Sequence, residues 1–315
     1  MKIAVLDAIT LGDDIDLSCL KALGEVITYP STAPQETAGR LRGVDCVIVN
    51  KVRIEESVLA QADRLKLVCV AATGYDNIYL DDMRAHGIAV CNVVGYSTHS
   101  VAQLTLSMVL SLAMHLPEYN RFVESGAYTN SGVANCLVPV YHELAGKTWG
   151  IVGCGNIGGQ VASVARAMGC QVIVCKRTPD PRYTCVDIDT LCRQADVITI
   201  HTPLSPETEN LISKERIAAM KPGAIVVNVA RGAVCDEAAL CQAVSEGRLG
   251  GLGVDVYTKE PFPVDSPYSA VMHMDNVCLT PHMAWGAYEA RNRCMQEICE
   301  NIKAFYKGEQ RNRLV

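Results

Sequence analysis

Short apolar runs recur through the first 97 residues, separated by stretches in which apolar residues return with helical spacing. The runs predict strands at residues 3–6, 25–29, 46–49 and 67–71, and the intervening stretches predict helices at 17–23, 36–42 and 55–62. Unbroken apolar strands between helices are typical of a parallel sheet that is covered on both faces. Ligands bind at the carboxyl ends of such strands, which here carry Lys51 and, after the next strand, Thr73 and Gly74.

The middle of the chain interrupts this alternation. Residues 98–115 are apolar on most sides, which predicts a buried helix that begins at a threonine or serine cap and is covered in part by a second subunit. Residues 117–144 have weak periodicity. A loop of this length in a compact protein usually covers a site or embraces a partner.

A second alternating series begins at residue 149. Its apolar runs predict strands at residues 172–175, 197–200, 224–228, 252–256 and 277–280, and the chain ends with a predicted helix at 288–307. The two series together predict an α/β protein with two doubly wound parallel sheets.

The second series opens with a glycine-rich turn between a short strand and an apolar helix. Gly153, Gly155 and Gly158 follow the pattern G-x-G-x-x-G. The first glycine permits a tight turn, the second lets the backbone approach a pyrophosphate, and the third lets the helix pack closely on the strand. Asn156 and Ile157 begin the helix, whose N–H groups face the anion. A glycine-rich turn of another α/β protein is the alternative, and the strand–helix–strand context favours dinucleotide binding.

Composition excludes several other classes of protein. A chain of 315 residues can form two domains, and a net charge of −6 without a basic cluster argues against a nucleic-acid partner. Neither a membrane-spanning run nor a signal-peptide pattern is present, so we expect a cytoplasmic protein without a membrane partner. The 15 cysteines are odd in number and lack C-x-x-C spacing, which favours reduced thiols over disulfides or a metal site.

Chemically capable side chains follow the strands of the second series. These are Arg231, Asp255, Glu260 and His282. Arginine can hold a carboxylate at two points, and histidine can exchange a proton near neutral pH. A carboxylate beside that histidine favours its protonated form. Each residue alone fits a solvated surface position or a turn, but together, beside a dinucleotide motif, they predict a reaction site.

These motifs together resemble those of the D-isomer-specific 2-hydroxyacid dehydrogenases, over nearly the whole chain. The resemblance rests on residues 153–158, 201–204, 228–232, 255–261 and 280–282. Residues 96–103 and 282–291 most resemble the hydroxypyruvate and glyoxylate reductases of that family. The resemblance implies a Rossmann cofactor domain (98–286) inserted into a flavodoxin-like substrate domain (1–97 plus 287–315).

The family also implies a role for each matching residue. Arg231 is expected to hold the substrate carboxylate, His282 to exchange the proton, and Glu260 to keep His282 protonated. Thr73 and Gly74 are expected to complete the carboxylate site with backbone N–H groups, and Lys51 belongs to the same substrate set. Further cofactor contacts are expected at Val101, Gly153, Gly155, Asn156, Ile157, Gly158, His201, Thr202, Pro203, Val229, Ala230 and Asp255, the last orienting the nicotinamide amide.

The sequence departs from the family at the end of the second Rossmann strand, where the family usually has an aspartate. Lys176, Arg177 and Thr178 stand there, and two cations with a hydroxyl suit a 2′-phosphate. We therefore expect a preference for NADP(H), with NAD(H) possible if the two cations are only a solvated turn. Asp180 could approach the ribose through a bent loop, although Pro179 and Pro181 constrain that loop.

The predicted reaction is reversible reduction of a small 2-oxoacid to a D-2-hydroxyacid, with hydroxypyruvate or glyoxylate favoured, in a homodimer. A D-lactate, phosphoglycerate or phosphite dehydrogenase remains an alternative. Formate dehydrogenases carry an amide where Glu260 stands. A cofactor-sensing protein that resembles the family's transcriptional corepressors is the alternative of another class, since those proteins keep similar residues.

Overall fold

The computed structural model describes residues 1–315, which divide into two compact units. The first unit comprises Met1–Ser97 and Gly286–Val315, and the second comprises Thr98–Trp285. The strands are β1 (Lys2–Val5), β2 (Glu25–Thr28), β3 (Cys46–Val49), β4 (Leu67–Val70), β5 (Ala89–Cys91), β6 (Thr148–Val152), β7 (Gln171–Cys175), β8 (Thr184–Cys185), β9 (Val197–Ile200), β10 (Ala224–Asn228), β11 (Leu249–Val254) and β12 (Val277–Leu279).

Helices fill most of the connections between these strands. They are α1 (Ser18–Lys21), α2 (Pro34–Leu41), α3 (Glu56–Leu59), α4 (Leu80–Ala85), α5 (Thr98–Ala113), α6 (Leu116–Glu124), α7 (Ala127–Ser131), α8 (Asn156–Ala167), α9 (Ile188–Gln194), α10 (Lys214–Ala219), α11 (Glu237–Ser245) and α12 (Tyr288–Tyr306). No single helix combines the length and hydropathy of a membrane-spanning segment, and α5 and α6 meet that standard only as a pair bent by 63°.

The first unit contains a five-stranded parallel sheet in the order β2-β1-β3-β4-β5. Strands β3 and β4 are buried along their whole length, as their unbroken apolar sequences predict. Helices α2, α3 and α4 contribute Leu41, Leu59 and Met83 to one core cluster, and α12 packs on β4. The C-terminal helix therefore belongs to the first unit, although 188 residues of the second unit lie between them in the sequence.

The second unit contains a seven-stranded parallel sheet in the order β12-β11-β10-β9-β6-β7-β8. Its two faces have separate core clusters, one built with α9, α10 and α11 and the other with α5 and α8. Trp149 of β6 is fully buried, and its indole N–H donates to Thr199 Oγ1 of β9 at 3.1 Å. The predicted class, two doubly wound parallel sheets, is confirmed.

The segment 117–144 is more regular than predicted. It contains most of α6 and all of α7, and residues 132–147 contain neither helix nor strand. Pro117 lies at the start of α6, where proline fits because the first helical N–H groups lack a partner in any case. The prediction of an irregular loop was therefore wrong for its first half. The predicted helices around α1 and α3 are each only four residues long.

Candidate active site

The glycine motif forms the turn between β6 and α8. Gly153 has φ +86°, and a Cβ atom there would lie 2.7 Å from the backbone nitrogen of Thr202. A Cβ atom on Gly158 would lie 2.2 Å from the carbonyl oxygen of Gly153, whereas one on Gly155 would enter open space. Gly153 and Gly158 thus permit tight packing, and the backbone around Gly155 is open to a ligand. This arrangement fits the pyrophosphate of a dinucleotide.

His201 lies directly after β9, beside this turn. Its backbone N–H donates to the Val152 carbonyl oxygen at 2.7 Å. Both ring nitrogens are buried without a hydrogen-bond partner, and burial lowers the pKa of the imidazole to about 3, so the ring is neutral. Buried polar groups without a partner are rare in folded proteins. A polar ligand beside the glycine turn would supply the missing partner. The unpaired ring nitrogens of His201 are therefore a second observation that fits a dinucleotide.

His282 and Glu260 form the pair that the sequence predicted. The Nδ1 atom of His282 lies 2.8 and 2.7 Å from the two carboxylate oxygens of Glu260. The His282 side chain is 22% exposed and the Glu260 side chain 28%. Glu260 Oε1 also accepts the Tyr257 N–H at 3.1 Å, which fixes the carboxylate. Since the carboxylate contacts Nδ1, the opposite ring nitrogen, Nε2, points away from it.

Asp255 is buried beneath this pair and holds the turn that carries His282. Its carboxylate accepts the hydroxyl of Thr280 at 2.6 Å and the N–H groups of Met283 and Ala284 at 2.8 and 3.0 Å. Burial raises the pKa of Asp255, and the three hydrogen bonds oppose that shift. The family resemblance implies a cofactor contact for Asp255, and this anchoring of the His282 turn was not predicted from the sequence. A possible sequence signal for this anchoring was the polar residue Thr280, which follows β12 as Asp255 follows the neighbouring strand β11.

Arg231 lies in a turn that Asn228 fixes, and its Nη1 atom donates to the Ala230 carbonyl oxygen at 2.8 Å. Asn228 at the end of β10 accepts the Ala230 N–H at 3.0 Å and donates to the Arg231 carbonyl oxygen at 2.9 Å. The next residue must be glycine, because a Cβ atom on Gly232 would lie 2.1 Å from the Thr258 nitrogen. The Arg231 turn therefore lies directly against the loop that carries Glu260.

The sheet order brings the predicted residues of the second unit to one edge. Strands β11, β10, β9 and β6 are neighbours, and their carboxyl ends lead to Asp255, Arg231, His201 and Gly153. Strand β12 adds His282 at the end of the row. The structure thus gathers the expected proton-exchanging, carboxylate-binding and dinucleotide-binding groups along five neighbouring strands. The remaining cofactor candidates lie in the same unit, with Val101 buried in α5, Val229 and Ala230 buried after β10, and Thr202 and Pro203 after β9.

In the segment after β7, Lys176 and Arg177 do not have the same surroundings, although the sequence predicted both as cations for a 2′-phosphate. Asp180 bends back so that its Oδ2 atom lies 3.5 Å from Lys176 Nζ. Arg182 binds the same carboxylate with its Nε and Nη2 atoms, the latter at 2.7 Å, and these hydrogen bonds hold the pKa of Asp180 well below its usual range. Arg177 and Thr178 are exposed. Lys176 therefore has an ionic partner, while Arg177 is exposed. Hydrogen bonds from Ser205 and the backbone lower the pKa of Glu207, and the charge of Arg177 lowers it further.

In the first unit, the predicted substrate residues follow two neighbouring strands. Lys51 lies two residues after β3, and Thr73 and Gly74 follow β4. The hydroxyl of Thr73 donates to the Val93 carbonyl oxygen at 2.7 Å, and Asn92 Nδ2 donates to the Thr73 carbonyl oxygen at 2.8 Å. These bonds fix the loop that carries the Thr73 and Gly74 N–H groups.

Comparison with known proteins agrees with this geometry. Residues 106–284 match the family model described as the NAD-binding domain of D-isomer specific 2-hydroxyacid dehydrogenases. The chain is 37% identical to a glycerate dehydrogenase of Methylorubrum extorquens, with 90% of each chain covered. It is 35% identical to a hydroxypyruvate reductase of Blautia hydrogenotrophica, with 98% of each chain covered.

Solved structures of similar proteins cover the chain from end to end. An acyclic imino acid reductase, Bsp5, solved with NADPH and D-Arg, has a TM-score of 0.88 and 27% identity over all of both chains. A D-lactate dehydrogenase of Aquifex aeolicus, solved with NAD and lactic acid, has a TM-score of 0.85 and 28% identity over 98% of this chain and 96% of that one. On the family model, the relatives and the fold together, this chain belongs to the D-isomer specific 2-hydroxyacid dehydrogenases, oxidoreductases that act on CH–OH groups with a nicotinamide cofactor.

Proposed function

We propose that this enzyme reduces hydroxypyruvate to D-glycerate, with glyoxylate as a smaller second substrate. The observation that carries the reductase assignment is the His282–Glu260 pair, held at 2.7 Å on the sheet edge that also carries Arg231. The substrate assignment is supported by the similarity to proteins named glycerate dehydrogenase and hydroxypyruvate reductase. Lactate, phosphoglycerate and phosphite dehydrogenases remain the alternatives within the family, and a cofactor-sensing protein the alternative outside it.

Binding of the substrate carboxylate is assigned to Arg231. A guanidinium group offers two parallel N–H donors to a carboxylate, and its charge polarises the neighbouring keto oxygen. The Asn228 bonds that fix its turn limit the conformations available to Arg231 before substrate arrives. Lys51 and the N–H groups of Thr73 and Gly74 are the proposed substrate contacts of the first unit. Residues 1–97 and 287–315 are then the substrate domain, and residues 98–286 are the cofactor domain.

Proton exchange is assigned to Nε2 of His282. When bound, the nicotinamide supplies the hydride that reaches C2 of the 2-oxoacid. Nε2 gives its proton to the keto oxygen, so that one hydride and one proton convert C=O to CH–OH. Glu260 at Nδ1 stabilises the imidazolium that must be present before the transfer. Asp255 positions His282 through the Met283 and Ala284 N–H groups, and it is also the proposed contact for the nicotinamide amide.

We also propose that NADP(H) is preferred over NAD(H). Arg177 and Thr178 are exposed at the end of β7, where a 2′-phosphate would lie. Asp180 holds Lys176, so Arg177 is the main phosphate-binding cation in this proposal. The carboxylate of Asp180 has its own cationic partners, Arg182 and Lys176, and this pairing reduces its repulsion of a phosphate.

A homodimer in a reducing, cytoplasmic compartment completes the proposal. Exposed apolar side chains concentrate between residues 116 and 141, where Leu137, Val138 and Val140 are 69%, 76% and 70% exposed. Large exposed apolar surfaces are typical of interfaces, and symmetric dimers are the commonest soluble oligomers. All 15 cysteines are free thiols, which supports the compartment.

The proposed function is tested by initial rates with a panel of 2-oxoacids and both reduced cofactors. We expect the largest kcat/KM for hydroxypyruvate, a measurable value for glyoxylate, and lower values for pyruvate and 3-phosphohydroxypyruvate. A larger value for either of the last two would reassign the substrate. Cofactor binding without turnover of any member would favour the cofactor-sensing alternative.

A further inference from the structure

A buried aspartate in the first unit binds the loop that carries Lys51. Asp7 lies shortly after β1, and this residue is only 4% exposed. Its carboxylate accepts three consecutive backbone N–H groups, from Asn50 at 3.0 Å, Lys51 at 2.5 Å and Val52 at 3.1 Å. A buried carboxylate is costly unless hydrogen bonds replace its hydration. The loop after β3 supplies those bonds.

Three further hydrogen bonds fix the same loop from its sides. Asn50 Nδ2 donates to the Thr10 hydroxyl at 2.9 Å, and that hydroxyl donates to the Asp7 carbonyl oxygen at 2.7 Å. Asn77 Nδ2 donates to the Val52 carbonyl oxygen at 2.7 Å. The backbone on both sides of Lys51 is therefore fixed, while the Lys51 residue itself is exposed.

The position of this loop connects it to substrate binding. Strands β3 and β4 are neighbours, so the Lys51 loop and the Thr73–Gly74 loop follow adjacent strands at one edge of the sheet. Asp7 is buried, and each of its two carboxylate oxygens accepts at least one backbone N–H of the loop, so we do not assign it a substrate contact of its own. Any effect of Asp7 on the reaction must pass through the loop.

We propose that Asp7 is a positioning residue: it holds the backbone from which the Lys51 side chain reaches the carboxylate of the incoming 2-oxoacid. The proposal rests on the proposed function and deepens it, because it adds a residue that no sequence motif identified. Fixing the loop before binding removes an ordering cost from the binding step. The effect of Asp7 should therefore fall on KM and much less on kcat, since Lys51 is not assigned to proton or hydride transfer.

The test is a double-mutant cycle of Asp7→Asn and Lys51→Ala, with KM and kcat for hydroxypyruvate as the readouts. The amide of Asp7→Asn keeps the volume but replaces one acceptor oxygen by an N–H₂ donor that faces backbone N–H groups. We expect each single variant to raise KM by about tenfold while kcat stays within about twofold. The double variant should be no worse than Lys51→Ala alone, because coupled residues are not additive.

Asp45→Asn is the matched control for loss of a buried carboxylate. Asp45 is 8% exposed, accepts the Lys2 N–H at 2.7 Å, and lies at the opposite edge of the same sheet, directly before β3. We expect Asp45→Asn to lower stability while leaving KM unchanged. Hydrogen exchange of the N–H groups of residues 50–52 is the second readout, and it should accelerate in Asp7→Asn but not in Asp45→Asn.

Three results would overturn the positioning role. These are an unchanged KM in Asp7→Asn, independent and additive effects of the two substitutions, or an equal rise of KM in the Asp45→Asn control. Unaltered exchange of residues 50–52 in Asp7→Asn would also overturn it, even in an enzyme without turnover. A wild-type enzyme that reduces no 2-oxoacid would instead refute the proposed function, so the two failures are distinguishable.

Discussion

At the scale of single residues, the proposed proton exchange depends on one ring nitrogen, Nε2 of His282. Glu260 contacts Nδ1 of His282 with both carboxylate oxygens, and Asp255 fixes the turn from below. The two carboxylates therefore act at different places: Glu260 on the imidazole ring and Asp255 on the backbone. The residue types indicated a carboxylate beside His282, and the family resemblance implied that it is Glu260. The backbone contacts of Asp255 could not be predicted from the sequence, since they depend on the conformation of residues 280–284.

Replacing His282 by alanine should lower the rate of 2-oxoacid reduction by a factor of order 10² or more, the usual range for a positioned acid. Cofactor binding should persist, because the glycine turn is untouched. Steady-state rates and a cofactor fluorescence titration measure the two effects. His86→Ala is the matched control, since His86 lies 2.9 Å from Glu56 in an exposed pair of the first unit. Near-normal turnover of His282→Ala would remove His282 from the mechanism.

His201 predicts a pH dependence of stability. The folded pKa of about 3 lies below the ordinary value of 6.5, so the unfolded chain binds the proton more readily between these values. The stabilisation from neutral His201 is therefore present above pH 6.5 and is lost as the pH falls towards 3. Urea unfolding at pH 7 and pH 5 should show that wild type loses about 2 kcal/mol more than His201→Gln over this interval. Equal losses in the two proteins would show that the ring is already protonated or solvated.

At the scale of elements, the apolar pattern located most of the strands because a parallel strand buried on both faces is a continuous apolar run. It did not define β5 and β8, which have only three and two residues, or α6, which contains no buried residue. An element without a buried face leaves little apolar periodicity in the sequence. The doubly wound class of both sheets followed from alternation alone.

The segment after β7 shows a second limit of prediction from sequence. Residues 176–178 indicated two cations beside the ribose, but the ion pair between Lys176 and Asp180 depends on the bend at residues 179–181. The side chain of Arg182 strengthens that bend by binding Asp180. A pattern of charges gives the groups that are available, whereas the loop conformation decides which of them faces a ligand.

This loop conformation leads to a prediction about cofactor choice. Arg177→Ala should weaken NADPH binding by about tenfold, equal to about 1.4 kcal/mol, and leave NADH binding nearly unchanged. Lys176→Ala should have a smaller effect, because Asp180 already holds the Lys176 ammonium. Fluorescence titration of both reduced cofactors provides the dissociation constants. The assignment fails if wild type binds NADH more tightly, or if Lys176→Ala has the larger effect.

At the scale of the whole molecule, exposed apolar side chains are concentrated in the segment from α6 to β6. Within it, Leu116 and Val123 are 52% and 57% exposed in α6, and Leu137 and Val138 are more exposed still in the segment that follows. No packing within the unit buries these side chains. Contact with a second copy of the chain would bury these apolar side chains, which an isolated subunit exposes to water.

Light scattering at micromolar concentration should therefore give the mass of a dimer, twice 34.0 kDa. Replacing both Leu137 and Val138 by glutamate should shift the mass to that of the monomer, because charge would be buried in the interface. Val264→Glu is the control, since Val264 is 94% exposed in the same unit but lies outside this segment. A wild-type monomer, or a dimer that survives the double substitution, would contradict the proposed interface.

The central claim is that this chain reduces a 2-oxoacid to one enantiomer at the edge formed by Arg231, Glu260 and His282. Its most direct test is chiral chromatography of the product formed from hydroxypyruvate and reduced cofactor, with cofactor oxidation followed in the same sample. We expect one D-glycerate for each cofactor oxidised, and formation of D-glycerate and oxidised cofactor at a rate lower by a factor of order 10² or more in His282→Ala. L-glycerate, a racemic product, or cofactor oxidation at a near-normal rate in His282→Ala would contradict this claim.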